Sequence, residues 1–252
     1  MKPQQIKKKI AEVKNWYHQI ELAPGIITPG VNNSKQFLKQ LKLPKDCRQK
    51  RILDIGTRDG FFAFEMEKRG ATVVALDYVP QTSTGFSIAK KVLNSKRVVY
   101  YQDNIYNITP KKYGKFDIVL FLGLLYHLPD PIKALNIVRS VCKKDIYVET
   151  QGIDNAFLTP EGKLVSLNSL SPLLTKSSLM QFYPKNSLNN DPSNYWAPNL
   201  TCLKGMLEET GYKIVTASVH GSRLVAHGQI TNDLKTKEVM NIATGISKPK
   251  SW

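Results

Sequence analysis

The chain has 252 residues and a mass of 28.4 kDa, which suits one α/β domain with additions and a sizeable buried core. No window approaches the roughly 18 apolar residues of a membrane span, and the N-terminus lacks the apolar core of a signal peptide. We therefore expect a cytoplasmic protein without a membrane span. The three cysteines are far apart and show no metal-ligand spacing, so no metal site is expected.

The net charge is +16, and it is unevenly distributed. Residues 1–50 contain eleven Lys and Arg against three Asp and Glu. A basic segment of this kind attracts phosphates. The whole chain is also rich in Lys and Asn, so a composition bias explains the charge equally well, and an RNA partner stays open.

The N-terminal segment is predicted to be helical. Apolar residues recur at three- and four-residue steps, which indicates an amphipathic helix; they are Ile6, Ile10, Val13, Tyr17 and Ile20. The pairs Pro24-Gly25 and Pro29-Gly30 predict an irregular loop, and a second helix is expected over residues 35–41. We interpret residues 1–45 as a helical cap and loop.

From residue 46 onward, short apolar runs alternate with helical stretches. Strands are predicted at 51–55, 72–76, 98–101, 116–121 and 145–149. Helices are predicted after the first strand, ending at Gly70, and over 131–142, where apolar residues from Ile132 to Val141 share one face. This alternation indicates a mostly parallel sheet with helices on both faces.

The pattern is lost over about residues 152–199, a stretch rich in Ser, Asn, Pro and Leu, which we interpret as a lid insert over an acceptor. A helix over 200–210 and two strands at 213–219 and 223–229 follow. The short connection between the strands predicts an antiparallel hairpin. The domain is expected to end near residue 230, before a basic, mobile tail over 231–252.

The loop in "LDIGTRDGFF" lies where an α/β sheet binds ligands, beyond the carboxyl end of a strand. Gly56 and Gly60 permit a close backbone approach and a turn into the next helix. Asp77 ends the second strand about twenty residues later, which suits the two hydroxyls of a ribose. Asp103 closes the third apolar run, so three strand ends together predict a nucleoside pocket.

A dinucleotide-binding fold is the first competitor. It requires Gly-x-Gly-x-x-Gly to approach a pyrophosphate, whereas Arg58 stands in the middle of this loop. The acid Asp54 would repel a pyrophosphate but suits a ligand with a cationic amino group. S-adenosylmethionine carries such a group together with a ribose and an adenine.

The chain resembles the class I S-adenosylmethionine-dependent methyltransferases over roughly residues 50–230. The resemblance is carried by "LDIGTRDGFF", "FDIVLFLGLLYHLPDP" with "IYVET", and "NYWAPNLTCLKGMLEETGY". Within that family it is similar to the group that contains the bacterial tRNA wobble-uridine carboxymethyltransferase. The resemblance implies a Rossmann-like seven-stranded sheet, mostly parallel, with a C-terminal antiparallel hairpin.

The resemblance also implies roles for individual residues. The methionine end of the cofactor would lie against Asp54, Gly56 and Gly60, the ribose against Asp77, and the adenine amino group against Asp103. The full set of residues expected at the cofactor is Asp54, Gly56, Arg58, Gly60, Asp77, Asp103, Asn104 and Gly123. The reaction centre would contain Gly123, Tyr126 and His127.

Methyl transfer from a sulfonium requires alignment of donor and acceptor and, for an oxygen acceptor, loss of a proton. His127 is the candidate base, because "LLYHLPDP" follows the fourth strand at its ligand-binding end. A packing or capping histidine is the alternative. Tyr126 is expected to close over the cofactor or orient the acceptor. Glu149, at the end of the fifth strand, is a second candidate base or an ordinary strand-end acid.

The acceptor is expected beneath the N-terminal segment and the insert, where aromatic rings can stack on a base or a sugar. The candidates are Trp16, Tyr17, His18, Tyr195 and Trp196. The acceptor is predicted to be either tRNA or a small molecule such as a sugar; the oligomeric state is not indicated.

Two alternatives remain beside ordinary methyl transfer. Arg58 is a possible partner for the extra carboxylate of carboxy-S-adenosylmethionine, which would make the enzyme a carboxymethyltransferase. The basic N-terminal motif of the wobble-uridine enzyme has no convincing counterpart in this chain. The other alternative is a catalytically silent RNA-binding relative.

Overall fold

The computed structural model describes residues 1–231. As far as β5 the elements are α1 (Pro3–Ala11), β1 (Glu21–Ala23), β2 (Ile26–Ile27), α2 (Ser34–Leu41), β3 (Arg51–Ile55), α3 (Phe61–Lys68), β4 (Thr72–Asp77), α4 (Phe86–Val92) and β5 (Val98–Gln102). They continue with α5 (Pro110–Tyr113), β6 (Phe116–Leu122), α6 (Pro131–Val141) and β7 (Cys142–Gln151). The remainder are β8 (Phe157–Leu158), β9 (Leu164–Val165), α7 (Leu167–Leu170), α8 (Pro172–Lys176), β10 (Met180–Phe182), β11 (Trp196–Pro198), α9 (Leu200–Glu209), β12 (Tyr212–His220) and β13 (Arg223–Ile230).

Seven strands form one mixed sheet in the order β12-β13-β7-β6-β3-β4-β5. β3 pairs with β4 and β4 with β5 in parallel, whereas β13 pairs antiparallel with both β7 and β12. The predicted seven-stranded sheet with its C-terminal hairpin is therefore confirmed. Of the tail predicted over 231–252, residues 232–252 lie outside the described residues.

The chain divides into two compact units. Unit 1 comprises Met1–Ile108 and Phe116–Leu120, and unit 2 comprises Thr109–Lys115 and, among the described residues, 121–231. The predicted N-terminal cap thus belongs to the same unit as β3, β4 and β5. No helix within residues 1–231 is long and apolar enough to cross a membrane.

In unit 1 the N-terminal helix is shorter than predicted. α1 ends at Ala11, and the apolar residues beyond it belong to chain without helix or strand. The indole N–H of Trp16 donates to the carbonyl of Ile10 at 3.0 Å, which satisfies one of the acceptors that a helix end leaves unpaired. The buried Trp16 ring therefore closes the helix where periodicity alone would extend it.

The predicted irregular loop after Ile20 is wrong. β1 and β2 form a small antiparallel hairpin around Pro24-Gly25. Gly25 has φ of 72°, a left-handed conformation that glycine adopts without a steric penalty, so the pair makes a tight turn between two paired strands.

In unit 2 the predicted lid insert is folded. Its short strands and helices surround a core of their own, made of Ile153, Leu167, Tyr183, Leu188 and Ala197. These residues are spread over more than forty positions of the chain, so no local periodicity reveals them. On α6, Ile132 is 43% exposed and lies outside the buried face, contrary to the prediction.

Gly85 precedes α4 and receives the Trp16 ring. A Cβ atom at Gly85 would lie 2.0 Å from Trp16 Cζ3, so the ring must move if a side chain is added. We expect Gly85→Ala to lower the free energy of unfolding by about 1–3 kcal/mol through overpacking, measured by urea denaturation. Gly205→Ala is the matched control. A Cβ there meets nothing within 4 Å, so this change inside α9 should stabilise by about 0.5–1 kcal/mol. Equal effects of the two changes would contradict the packing argument.

Candidate functional site

The loop between β3 and α3, residues 56–60, is here called the glycine loop. β4 holds its first residues, because the N–H groups of Gly56 and Thr57 donate to the Leu76 carbonyl at 2.8 and 3.2 Å. Gly60 begins α3 with φ of 88°. A Cβ atom at Gly60 would lie 2.6 Å from the Phe64 ring and 2.7 Å from the Phe86 ring, so only glycine fits there.

Asp54 lies directly before the glycine loop and is buried. Its carboxylate accepts a hydrogen bond from the Thr57 hydroxyl at 2.6 Å and another from the Ala63 N–H. Burial raises the pKa of Asp54 to about 7, with the Asp77 charge acting in the same direction and the two hydrogen bonds opposing the rise. A cationic group bound nearby would favour the ionised carboxylate and lower this pKa.

The raised pKa of Asp54 has a consequence for stability. The folded protein keeps a proton on Asp54 that the unfolded chain releases above about pH 4. The free energy of unfolding therefore falls as the pH rises from about 4 to about 7. We expect Asp54→Asn, which cannot ionise, to lack this part of the decline. Urea denaturation of the ligand-free protein at several pH values in that window measures it, and an unchanged slope in the variant would contradict it.

Asp77, at the end of β4, is also buried. Its carboxylate accepts from the Arg58 N–H at 2.9 Å and from the Val79 N–H at 3.4 Å. Desolvation raises the pKa of Asp77, and these backbone hydrogen bonds oppose the rise. A carboxylate offers about four lone-pair positions, so two further donors, such as a pair of hydroxyls, can be accommodated. The neighbouring Tyr78 side chain is exposed.

Asp103 follows β5, and its N–H donates to the Asp77 carbonyl at 2.8 Å. Asp103 Oδ1 accepts from the Asn104 N–H at 2.8 Å and from the Asn107 amide at 3.0 Å. The Asn104 side chain in turn accepts from the Tyr106 N–H at 3.0 Å. The glycine loop, Asp77 and Asp103 therefore belong to one hydrogen-bonded set of strand ends within unit 1.

Two residues of the glycine loop, Thr57 and Asp59, were not singled out by the sequence, and Asp59 makes the longer-range contacts. It is buried, and its Oδ2 accepts from the backbone N–H groups of Tyr17 at 2.7 Å and His18 at 2.8 Å. Its Oδ1 accepts from the Gly85 N–H at 2.8 Å. Asp59 thus ties the N-terminal segment and the start of α4 to the loop. The Arg58 side chain beside it is exposed.

The N-terminal aromatic residues are mostly packed. Trp16 lies against Gly85, and His18 is buried with its ring near Phe61. Burial lowers the pKa of His18 to about 4, so its ring is neutral near pH 7. Tyr17 is 38% exposed, the largest exposed fraction among these predicted acceptor residues. Stacking of Trp16 or His18 on an acceptor would require their displacement.

Unit 2 contains the residues predicted at the reaction centre. Gly123, which follows β6, donates its N–H to the Glu149 carbonyl at 2.9 Å. The Glu149 carboxylate forms an ion pair with Arg223, and Arg223 also donates to the Gln151 side chain at 3.1 Å. The Arg223 guanidinium lies 4.7 Å from the centre of the Tyr126 ring. Glu149 is therefore the buried counter-ion of Arg223, which makes it a poor candidate for a free base.

His127 lies beside Tyr126, with 4.0 Å between the ring centres. Its Nδ1 is 3.1 Å from the carbonyl oxygen of Ser193. A carbonyl only accepts, so Nδ1 carries the hydrogen, and in the neutral ring Nε2 keeps its lone pair. Burial lowers the pKa of His127, chiefly through desolvation, so the ring is neutral near pH 7. This is the protonation state that a general base requires.

The insert places three aromatic side chains in the same unit, here called the aromatic shelf: Phe182, Tyr195 and Trp196. The Tyr195 N–H donates to the Tyr126 carbonyl at 2.8 Å, and the Trp196 indole donates to the Pro129 carbonyl at 3.1 Å. The Phe182 and Trp196 rings are 4.8 Å apart. Phe182 is 50% and Tyr195 38% exposed, so ring faces remain available next to the segment that carries His127.

A family model described as "Methyltransferase domain" matches residues 34–217. Among curated proteins, the tRNA U34 carboxymethyltransferase of Campylobacter hominis is 32% identical over 117 residues, 45% of this chain and 40% of the relative. The protein of the same name from Campylobacter jejuni strain 81116 is 25% identical over 72% of this chain and 54% of the relative. The chain thus spans about half the length of these relatives.

Solved structures share the fold at low sequence identity. The N-terminal domain of EvdMO1, determined in the presence of SAH and D-fucose, superposes with a TM-score of 0.62 at 17% identity, covering 92% of this chain and 98% of that domain. A putative S-adenosylmethionine-dependent methyltransferase from Listeria monocytogenes gives 0.57 at 17% identity, covering 78% and 97%. Each likeness concerns the sheet and its connections.

Proposed function

The chain belongs to the methyltransferase-domain family and is an S-adenosylmethionine-dependent enzyme, and we propose that it transfers a methyl group to a hydroxyl oxygen of a ring-shaped acceptor. The observation that carries this proposal is the state of His127. Its hydrogen is on Nδ1, bonded to the Ser193 carbonyl, and its lowered pKa leaves Nε2 as a base near pH 7.

The residues of unit 1 fit the cofactor. Asp77 retains acceptor positions for two ribose hydroxyls, and the exposed Tyr78 ring beside it offers a face for the adenine. Asp54 is a carboxylate whose raised pKa a nearby ammonium group would lower. Gly56 and Gly60 present no side chain at the two ends of the loop, and Asp103 with Asn104 follows the adjacent strand.

The bound cofactor supplies an activated methyl group, so the protein's tasks are alignment and proton removal. We propose that the aromatic shelf holds the acceptor ring by stacking and that His127 Nε2 accepts the hydroxyl proton. Tyr126 would orient the acceptor, because its ring is fixed under the Arg223 guanidinium and its carbonyl holds Tyr195.

Ordinary methyl transfer is favoured over carboxymethyl transfer by the charge balance in unit 2. A carboxylated donor requires a cation to compensate its extra charge. Arg223 is half-buried close to Tyr126, but Glu149 already neutralises it. The Arg58 side chain in unit 1 is exposed, which weakens the expectation that it binds that carboxylate. The names of the curated relatives still make carboxymethyl transfer to tRNA the second candidate.

Two observations bear on the acceptor, and they favour different molecules. The aromatic shelf and the fold shared with a domain crystallised in the presence of D-fucose favour a sugar or other small molecule. The basic charge of residues 1–50 favours tRNA. We propose the small molecule first, because the aromatic shelf lies in the same unit as His127, whereas the basic segment lies in the other unit.

Calorimetric titration with S-adenosylmethionine, S-adenosylhomocysteine and carboxy-S-adenosylmethionine tests the donor. We expect the first two to bind more tightly than the third, and a marked preference for the carboxylated donor would overturn methyl transfer. Transfer of labelled methyl groups to a panel of sugars and nucleosides, and to bulk tRNA at two salt concentrations, tests the acceptor. Salt-sensitive transfer to tRNA alone would replace the small-molecule proposal with the second candidate.

A further inference from the structure

The insert carries two polar residues that contact the proposed base. Ser193 Oγ lies 3.0 Å from His127 Nδ1, and the Ser193 carbonyl lies 3.1 Å from the same atom. Asp191 Oδ1 accepts two hydrogen bonds from Ser193, from its hydroxyl at 2.6 Å and from its N–H at 2.9 Å. A chain of hydrogen bonds therefore runs from Asp191 through Ser193 to the histidine.

The direction of each hydrogen bond follows from chemistry. The Asp191 carboxylate only accepts when it is ionised, so the Ser193 hydroxyl must give it its hydrogen. The Ser193 oxygen can then act only as an acceptor towards His127. Both Ser193 atoms near Nδ1 are thus acceptors, and Nδ1–H is the donor to them. The insert selects the tautomer in which Nε2 is unprotonated.

We propose that Asp191 and Ser193 are positioning residues that hold the His127 ring in the Nδ1–H tautomer and stabilise the charge it gains on accepting a proton. This inference rests on the proposed role of His127 as a base. It assigns a chemical purpose to the insert, whose own core holds Leu188 and Ala197 on either side of the pair. Asp191 and Ser193 contact His127 only when the insert is folded.

The charged groups around His127 define what each substitution does. Burial, the largest effect, lowers the pKa of His127, and the Arg223 charge acts in the same direction. The hydrogen bond to the Ser193 carbonyl and the charges of Asp191 and Glu149 raise it. Glu149 is paired with Arg223, so their effects largely offset each other. Removal of the Asp191 charge should therefore lower the pKa of His127 further, because the imidazolium loses its anionic partner. A weaker base also accepts the hydroxyl proton of the acceptor less readily.

Nuclear magnetic resonance of the ¹⁵N-labelled histidine rings tests the proposal without an acceptor. Asp191→Asn removes the charge, Ser193→Ala removes the hydroxyl, and the exposed acid Glu161→Gln is the matched control on the same insert. The signal of His127 is identified by its loss in His127→Gln. We expect the wild-type ring to carry its hydrogen on Nδ1 and its titration to move to lower pH in Asp191→Asn. Glu161→Gln should titrate as the wild type does.

Turnover supplies the second readout. We expect Asp191→Asn to lower kcat about fivefold, with KM for the donor unchanged, because a largely solvated charge contributes modestly. The decline of kcat at low pH should move to lower pH in Asp191→Asn, as the His127 titration does. An unchanged His127 titration in both Asp191→Asn and Ser193→Ala would overturn the positioning role. Wild-type turnover in His127→Gln would instead show that His127 is not the base, whatever tautomer the resonance spectra report. Failure of the proposed base and failure of the positioning role are therefore distinguishable.

Discussion

Asp77→Ala should lower the affinity for S-adenosylhomocysteine by about a hundredfold or more while the protein remains folded. Hydrogen bonds to a charged group contribute about 1.5–3 kcal/mol each, and two ribose hydroxyls would lose their acceptor. The change also leaves the Arg58 N–H without the carboxylate it now contacts at 2.9 Å, so some loss of stability is expected. Calorimetric titration measures the affinity and urea denaturation the stability.

Glu67 is the matched control for this effect on stability. Like Asp77 it is a carboxylate of unit 1 that accepts two backbone N–H groups, from Lys96 at 2.8 Å and Arg97 at 2.5 Å. It lies on α3 and contacts the residues that lead into β5, not those at the carboxyl ends of the strands. Glu67→Ala should therefore lower the stability without changing the affinity. An affinity equal to that of the wild type in Asp77→Ala would contradict the ribose assignment.

His127→Ala should lower kcat by about 10²–10⁴-fold, the usual contribution of a general base, while cofactor affinity stays at the wild-type value. Because burial lowers the pKa of His127, the wild-type rate should fall towards low pH, where Nε2 becomes protonated, with its midpoint below the ordinary histidine value of about 6.5. Steady-state kinetics with the acceptor found in the transfer assay measure both features.

His220→Ala is the control for the histidine substitution. His220 ends β12, and its Nε2 lies 2.9 Å from the Ser218 hydroxyl, so its interaction is local to the hairpin. We expect wild-type turnover in this variant. Equal kcat values for the His127→Ala variant and the wild-type enzyme across pH would show that His127 is not the base. The acceptor hydroxyl would then lose its proton without a general base.

The sheet was predictable because its signals are local. Every predicted strand is present, and β3 was predicted with the bounds that the structure has, Arg51–Ile55. Errors arose where side-chain contacts overrode local preference, as with the Trp16 indole at the end of α1. The insert could not be predicted, because its core joins residues from Ile153 to Ala197 that share no period.

By itself the sequence determined the strand ends, the glycine loop, the acid Asp77 and the histidine after β6, because apolar runs, glycines and their spacing act within a few residues. The tertiary structure decided which groups those residues meet. Asp59 holds His18 from 41 positions away, Arg223 neutralises Glu149 across 74, and Ser193 fixes the tautomer of His127 across 66. Only folding brings such pairs within hydrogen-bond distance, and these contacts determine which nitrogen of His127 is free to accept a proton.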